Sequence, residues 1–128
     1  MNAADHKRRP PSERFAGNEH LFDILASAED LRAEPEAPRD GHRQITLFHE
    51  GGLSVVLFDF EAGGRLNGHK ADGLVTIQTI AGSVDVSTPQ TTHQLPTGTL
   101  LLLEPGIPHD VVAHLPSQVL LFVHLRHD

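Results

Sequence analysis

Two histidines, His69 and His109, stand where an imidazole could bind a metal ion or a small molecule. His69 precedes the acid-and-glycine turn of "GHKADG" and the alternating run "LVTIQTI", and His109 follows the turn "EPGIP". Imidazole nitrogen is a common metal ligand, and it also donates and accepts hydrogen bonds. The chain has no cysteine, so any metal must be bound by nitrogen and oxygen atoms, which excludes cysteine-rich zinc modules.

Two further side chains, Gln78 and His124, are candidates for contacting a substrate. Gln78 lies three residues after Val75, so on a regular strand it faces the opposite side and reaches the interior only through a bulge. His124 lies in "QVLLFVHL", where both alternate sets of residues are apolar enough to be buried, so its direction stays open. The remaining histidines are interpreted as surface or terminal residues. They are His6, His20, His42, His49, His93, His114 and His127.

The elements that must position these side chains are short strands. From Gln44 onward, apolar and alternating runs are separated by glycine and proline punctuation. The runs are "QITLFH", "LSVVLFDF", "LVTIQTI", "SVDVS", "TLLLLE", "DVVAH" and "QVLLFVHL". Many short strands at close spacing, with turn residues between them, indicate an all-β sandwich or barrel without βαβ units.

The part of the chain before the strands divides in two. Residues 1–19 carry prolines and many charges without an apolar period, which predicts a disordered basic tail. Leu21, Phe22, Leu25, Ala28 and Leu31 then recur at helical spacing, which predicts a short helix over about residues 21–32. We therefore expect a tail over 1–19, a helix and connecting loop over 20–43, and one β-domain over 44–128.

Charge and hydropathy exclude several classes of partner. The formal net charge is −7, and four of the ten basic residues lie in "HKRRPPSER", so the body of the protein is more acidic still. An acidic surface repels phosphate backbones, so no nucleic-acid partner is expected. The longest apolar runs are too short to cross a bilayer, so no membrane partner is expected and the predicted location is the cytoplasm.

Several predicted strands are apolar on both faces, which bears on association. In "TLLLL" and "VLLFV" successive side chains point to opposite sides of the sheet, so one set fills the interior and the other needs a cover. One short helix is too small to cover two or three such strands. We therefore predict a homodimer that packs sheet on sheet.

The chain from about Gln44 to Leu125 resembles the cupin family of small β-barrels, whose motifs read G(X)5HXH(X)3–4E(X)6G and G(X)5PXG(X)2H(X)3N. The residues in register are Gly63, His69 and Gly82 for the first motif, and Gly98, Gly106 and His109 for the second. The resemblance implies a cupin-type double-stranded β-helix, or jelly-roll, barrel, which follows the short N-terminal helix predicted from the spacing of apolar residues. It also implies that His69 and His109 lie at one end of that barrel.

The same resemblance implies an altered metal site. Cupins that bind a metal use two histidines and a glutamate from the first motif and one histidine from the second. Here Ala71 and Val75 occupy the second histidine position and the glutamate position. With only His69 and His109 left, one divalent transition metal (Zn, Mn, Fe or Ni) would be held weakly, since such ions usually take three or four protein ligands.

Three functions remain open on the sequence alone. The first is a small cupin that binds a small molecule through a weak or unusual metal site at His69 and His109, with a lyase, isomerase or dioxygenase reaction as the catalytic version. The second is a metal-free binding module with the two histidines as hydrogen-bonding groups. The third is a structural or regulatory dimer without catalysis.

Overall fold

The protein forms a β-barrel made of two antiparallel sheets, seen in a computed structural model that describes residues 8–125. Helices α1 and α2 span Pro11–Arg14 and Ile24–Arg32. The strands of the described range are β1 (His42–Glu50), β2 (Leu53–Phe60), β3 (Arg65–His69), β4 (Gly73–Ala81), β5 (Ser83–Ser87), β6 (Thr92–Pro96), β7 (Leu100–Leu103), β8 (His109–Ala113) and β9 (Ser117–Leu125). The predicted all-β jelly-roll barrel with a short N-terminal helix is confirmed.

The two sheets divide the strands unequally. One sheet has the order β1-β2-β9-β4-β7 and the other the order β3-β8-β5-β6. The apolar core between them is built from side chains of every strand except β1. Its buried side chains are Phe58, Phe60, Leu66, Val75, Ile77, Val84, Val86, Leu95, Leu103, Val111, Ala113, Val119 and Leu121.

Two strands of the smaller sheet, β3 and β6, were not predicted from the sequence. In β3, "RLNGH" buries only Leu66 and contains a glycine, and in β6, "THQLP" is polar and ends in proline. Neither has the apolar content that marks a strand locally. Both form because they pair with neighbours, β3 with β8 and β6 with β5.

Helix α2 covers the outer face of the larger sheet where β1 and β2 lie. It begins after Asp23, whose side chain accepts a hydrogen bond from the Ala26 N–H, and it buries Ala28 and Leu31. Arg32 donates to the buried carboxylate of Asp59 at 2.9 Å, so an ion pair fixes the end of the helix on β2. The helix starts three residues later than predicted, and Leu21, counted in its apolar face, is 99% exposed.

Within the predicted tail, the described residues 8–19 make several contacts with the rest of the chain. Arg14 donates to the Thr46 carbonyl at 2.6 Å, and Arg8 donates to the carboxylate of Glu34. The ring of Phe15 packs edge to face on Phe48. Composition missed these contacts because each depends on a partner far along the chain. Residues 1–7 of the predicted tail lie outside the described residues.

The boundary of the barrel also lies slightly earlier than expected. β1 begins at His42, within the segment 20–43 that was predicted as helix and connecting loop. Along residues 8–125, none of the helices has the length and apolar content needed to span a membrane.

Candidate functional site

His69 is aimed into the barrel by a bulge in β3. Leu66 pairs with Val111 and His69 pairs with His109, so three residues on β3 match two on β8 and one residue is extra. Gly68 lies in the bulged segment with a φ of 68°, a conformation that favours glycine. Without the extra residue, Leu66 and His69 would face opposite sides of the sheet, so the bulge returns His69 to the inward face.

Strand β8 positions His109 by simple alternation. His109, Val111 and Ala113 are buried and point inward, while Asp110 and Val112 between them are exposed. Asp110 also accepts a hydrogen bond from the Gly68 N–H at 2.5 Å, which holds the bulge of β3 against β8. The two histidines are therefore direct cross-strand neighbours on one face, as side chains of paired residues are.

The His109 ring is set up as a hydrogen-bond acceptor toward the interior. Its Nδ1 lies 3.2 Å from the Ile107 carbonyl oxygen, which can only accept, so Nδ1 carries a proton. Neutral His109 therefore has a lone pair on Nε2. His109 is only 4% exposed, so that atom is buried away from solvent. It also makes no hydrogen bond to any protein atom of residues 8–125. An unpaired buried acceptor of this kind is costly, which marks it as a site for a ligand.

His69 completes the pair from a more open position. The centres of the two rings lie 6.3 Å apart and their planes are inclined by 44°. Although much of His69 is exposed, partial burial of its ring lowers its pKa, and the nearby charges of His109 and His42 lower it further against an opposing effect of Asp110. A pKa below the usual value of about 6.5 leaves His69 neutral at pH 7, and a neutral ring can donate and accept hydrogen bonds.

The positions that could strengthen a metal site hold apolar side chains here. Val75 is 3% exposed and belongs to the interior core, and Ala71 packs against the same core. Within the described part of the chain, no group of three or more histidine and acidic side chains is placed to hold a metal ion. At these two positions the inner wall beside His69 and His109 is therefore apolar.

The structure does not bring Gln78 and His124 to the two histidines. Gln78 pairs with Leu100 and Leu120, and the register of β4 around it is regular, so no bulge turns it inward. His124 pairs with Leu74 and Leu53 at the outer end of β9, and its side chain is exposed. Both residues lie on the outer face of the larger sheet, where they do not reach His69 or His109.

Two histidines interpreted as surface residues face inward. His42 is 7% exposed, its Nδ1 lies 2.9 Å from the Arg65 carbonyl oxygen, and its ring lies against Phe58 and Phe60. His93 pairs across β5–β6 with Val86, a fully buried residue, so it also faces inward. The regular alternation of His93 with Leu95 was the available signal for its direction.

A family model matches the part of the chain that carries the two histidines. Residues 59–125, just over half of the chain, match the model of the AraC-like ligand binding domain. The matched range contains both histidines and the interior strands around them. No curated protein matches the chain in sequence.

Solved structures show the same fold at low sequence identity. A cupin superfamily protein from Desulfitobacterium hafniense has a TM-score of 0.69 at 13% identity, covering 88% of this chain and 96% of its own. An RmlC-like cupin from Shewanella frigidimarina has a TM-score of 0.68 at 15% identity, covering 88% and 95%. A conserved protein of unknown function from Streptococcus pyogenes has a TM-score of 0.69 at 19% identity, covering 88% and 93%.

Proposed function

Because the chain belongs to the AraC-like ligand-binding family of cupin barrels, we propose that it binds an uncharged small molecule through His69 and His109. The observation that carries the proposal is the buried Nε2 atom of His109, which has no hydrogen-bond partner within residues 8–125. A hydroxyl group of a ligand would donate to that atom and remove the cost of leaving it unpaired. The apolar wall formed by Val75 and Ala71 favours an uncharged molecule over an ionic one.

The spacing of the rings supports a shared oxygen atom. Two imidazoles that each hydrogen bond one oxygen over about 2.9 Å, at a tetrahedral angle, have ring centres about 6.6 Å apart. Two imidazoles that bind one tetrahedral ion over about 2.1 Å have centres about 5.2 Å apart. The observed separation of 6.3 Å is close to the first value. His69 and His109 can therefore orient one hydroxyl group, with one ring accepting its proton and the other donating to its oxygen.

A tightly held metal does not fit the residues present. Two imidazoles supply two ligands, and Val75 and Ala71 supply none. The Nε2 lone pair of His109 nevertheless favours weak binding of a divalent transition metal as a second candidate function, with His69 as the other ligand. Treatment with a chelator should leave the domain folded, because its core of apolar side chains does not depend on a metal.

The proposal is tested with ¹³C-labelled histidine side chains observed by NMR. Neutral monosaccharides and short-chain alcohols are added one at a time, and zinc chloride is added in a separate series. We expect at least one neutral oxygen compound to shift the resonances of His69 and His109 together, with zinc binding weaker than micromolar. Shifts confined to zinc at tight affinity would contradict the metal-free proposal, and shifts at neither histidine with any probe would contradict the site itself.

We also propose that a second copy of the chain covers the outer face of β4 and β7. Helix α2 packs on β1 and β2, at the far side of the larger sheet, and β7 is its edge strand. On that edge Leu100 and Leu102 are 59% and 55% exposed, and they pair with Gln78 and Thr76 on the same face. A symmetric packing of two such faces would bury the four leucines.

Replacing Leu102 with glutamate tests this contact. We expect the wild-type protein to sediment as a dimer and Leu102→Glu to sediment as a monomer or to aggregate, because a charge cannot be buried unpaired in an apolar interface. Leu21→Glu is the matched control, since Leu21 is more exposed but lies ahead of α2, away from β7. A wild-type protein that stays monomeric at high concentration would contradict the dimer.

A further inference from the structure

A cavity, which we call the rim pocket, lies at the edge of the barrel between two turns. One turn is formed by residues 88–91 between β5 and β6, and the other by residues 105–108 between β7 and β8. The cavity has a volume of about 330 Å³, within the range of small-molecule sites. Neither His69 nor His109 lines it, so it is distinct from the pair of histidines described above.

The chemistry of the lining selects against charge. The apolar part consists of Pro89, Leu103, Pro105, Ile107 and Pro108, and no aspartate, glutamate, lysine or arginine contributes to the lining. An ion would lose its hydration in such a pocket and gain no counter-charge. The pocket also lacks tyrosine and tryptophan, because the chain has none. The lining therefore fits an uncharged molecule with a largely apolar surface.

One polar ring, that of His93, is directed into this apolar surrounding. His93 pairs with the buried Val86 and alternates with the buried Leu95, so its side chain lies on the inward face of β6. Among the residues that the structure describes, neither of its ring nitrogens is engaged in a hydrogen bond to protein. A ligand with one hydroxyl group could donate to that ring or accept from it.

The two turns that form the rim pocket are fixed at their bases. Thr88 donates its N–H to the Thr91 carbonyl at 2.8 Å, and Gly106 donates its N–H to the Ala71 carbonyl at 2.8 Å. Gly106 follows Pro105 with a φ of 82°, which is the combination that a type II turn requires. Ile107 packs on the interior core. The pocket is therefore largely formed before any ligand arrives, which lowers the cost of binding.

We propose that the rim pocket is a second binding site, which takes an uncharged, mainly apolar molecule of about the size of a fused two-ring aromatic with a single hydroxyl group directed at His93. The proposal goes beyond the hydroxyl-binding role of His69 and His109 and does not depend on it. Ile107 and Pro108 line the rim pocket and lead directly into His109, but neither His109 nor His69 contributes to its lining.

The probe for this site is 2-naphthol, with naphthalene and 2-naphthoate as comparison compounds. The chain contains no tryptophan or tyrosine, so the fluorescence of the probe can be followed without a protein background. We expect saturable binding of 2-naphthol and weaker binding of the anionic 2-naphthoate. Binding of 2-naphthoate that equals or exceeds that of 2-naphthol would overturn the assignment of an uncharged ligand.

Two phenylalanine substitutions on the same hairpin locate the binding. Thr91 lines the rim pocket and its hydroxyl group makes no hydrogen bond within residues 8–125, so Thr91→Phe fills the space at little structural cost. Gln94 is exposed on the outer face of β6, so Gln94→Phe adds the same ring outside the pocket. We expect Thr91→Phe to weaken 2-naphthol binding at least 10-fold and Gln94→Phe to leave it unchanged. Equal affinities in Thr91→Phe and the wild type would overturn the site.

A third variant tests the role of His93. His93→Leu introduces an apolar side chain of similar size and removes the ring nitrogens. Because one hydrogen bond is lost, we expect His93→Leu to bind 2-naphthol about 3- to 10-fold more weakly than the wild type. Its affinity for naphthalene, which has no hydroxyl group, should be unchanged. Parallel losses for both compounds would show that His93 contributes shape alone and would overturn its hydrogen-bonding role. Loss of 2-naphthol binding in His109→Leu, with Thr91→Phe unaffected, would move the binding to the histidine pair and overturn the rim pocket.

Discussion

Replacement of His109 with leucine is expected to stabilise the protein while abolishing ligand binding at the histidine pair. The His109 ring is 4% exposed and its Nε2 has no hydrogen-bond partner within residues 8–125, and an unpaired buried polar atom costs about 1–3 kcal/mol. Leucine fills a similar volume without that cost, although the bond from Nδ1 to the Ile107 carbonyl is lost. We expect a net gain of about 1 kcal/mol in the free energy of unfolding.

Urea denaturation and NMR titration with the same probes measure the two effects. The probe that shifts His69 and His109 in the wild type should lose at least 10-fold in affinity. His114→Leu is the matched control, because His114 lies just after β8 on the outside and is paired with Asp85 at 2.8 Å. It should lose up to about 1 kcal/mol of stability and keep the probe. A His109→Leu protein that is less stable than wild type by more than about 1 kcal/mol would show that the ring is structural.

The largest loss of stability is expected for Gly82→Ala, at the end of the first cupin motif. Gly82 has a φ of 100°, which an L side chain adopts only with strain. A Cβ atom there would also fall inside contact distance of the Ser117 side chain and the Pro116 carbonyl, at the start of β9. Strain of about 1–2 kcal/mol and overpacking of about 1–3 kcal/mol together predict a loss of about 2–5 kcal/mol.

Gly98→Ala separates the two causes. Gly98 begins the second cupin motif with a φ of 84°, but a Cβ atom there would meet nothing within 4 Å. Only the backbone strain applies, so we expect a loss of about 1–2 kcal/mol, measured by the same denaturation experiment. Equal losses in the two variants would contradict the role assigned to the contact between Gly82 and Ser117.

The barrel and the pairing of His69 with His109 were predictable because their signals are local and repeated. Strands such as "LSVVLFDF" and "SVDVS" begin and end where the apolar alternation does. The motif glycines Gly63, Gly82, Gly98 and Gly106 all have positive φ. The glycine spacing of the two motifs in the sequence therefore marks turns whose backbone conformation favours glycine. The bulge that turns His69 inward also has a local signal in the dipeptide Asn67-Gly68, which is typical of a turn.

The interior placement of His42 was not predictable from its strand. His42, Gln44 and Thr46 alternate with Arg43 and Ile45, a pattern that indicates a solvent-facing polar set. The chain closes the barrel at this corner, where Phe58, Phe60 and the Arg65 carbonyl surround the ring. The exposure of Leu21 was also not predictable from the apolar spacing. Leu21 lies before the helix, and only the N-cap hydrogen bond of Asp23 shows that the helix begins at Ile24.

The claim that His69 and His109 form one site is tested most directly by the pKa of His69 in wild type and in His109→Leu. Partial burial and then the charge of His109 lower that pKa, so the folded state resists protonation and the stability from neutral His69 is lost as the pH falls below about 6.5. NMR titration of the labelled ring should give a pKa below about 6.5 in wild type and in His114→Leu. In His109→Leu it should rise toward the ordinary value. An unchanged pKa of His69 in His109→Leu would contradict the shared site.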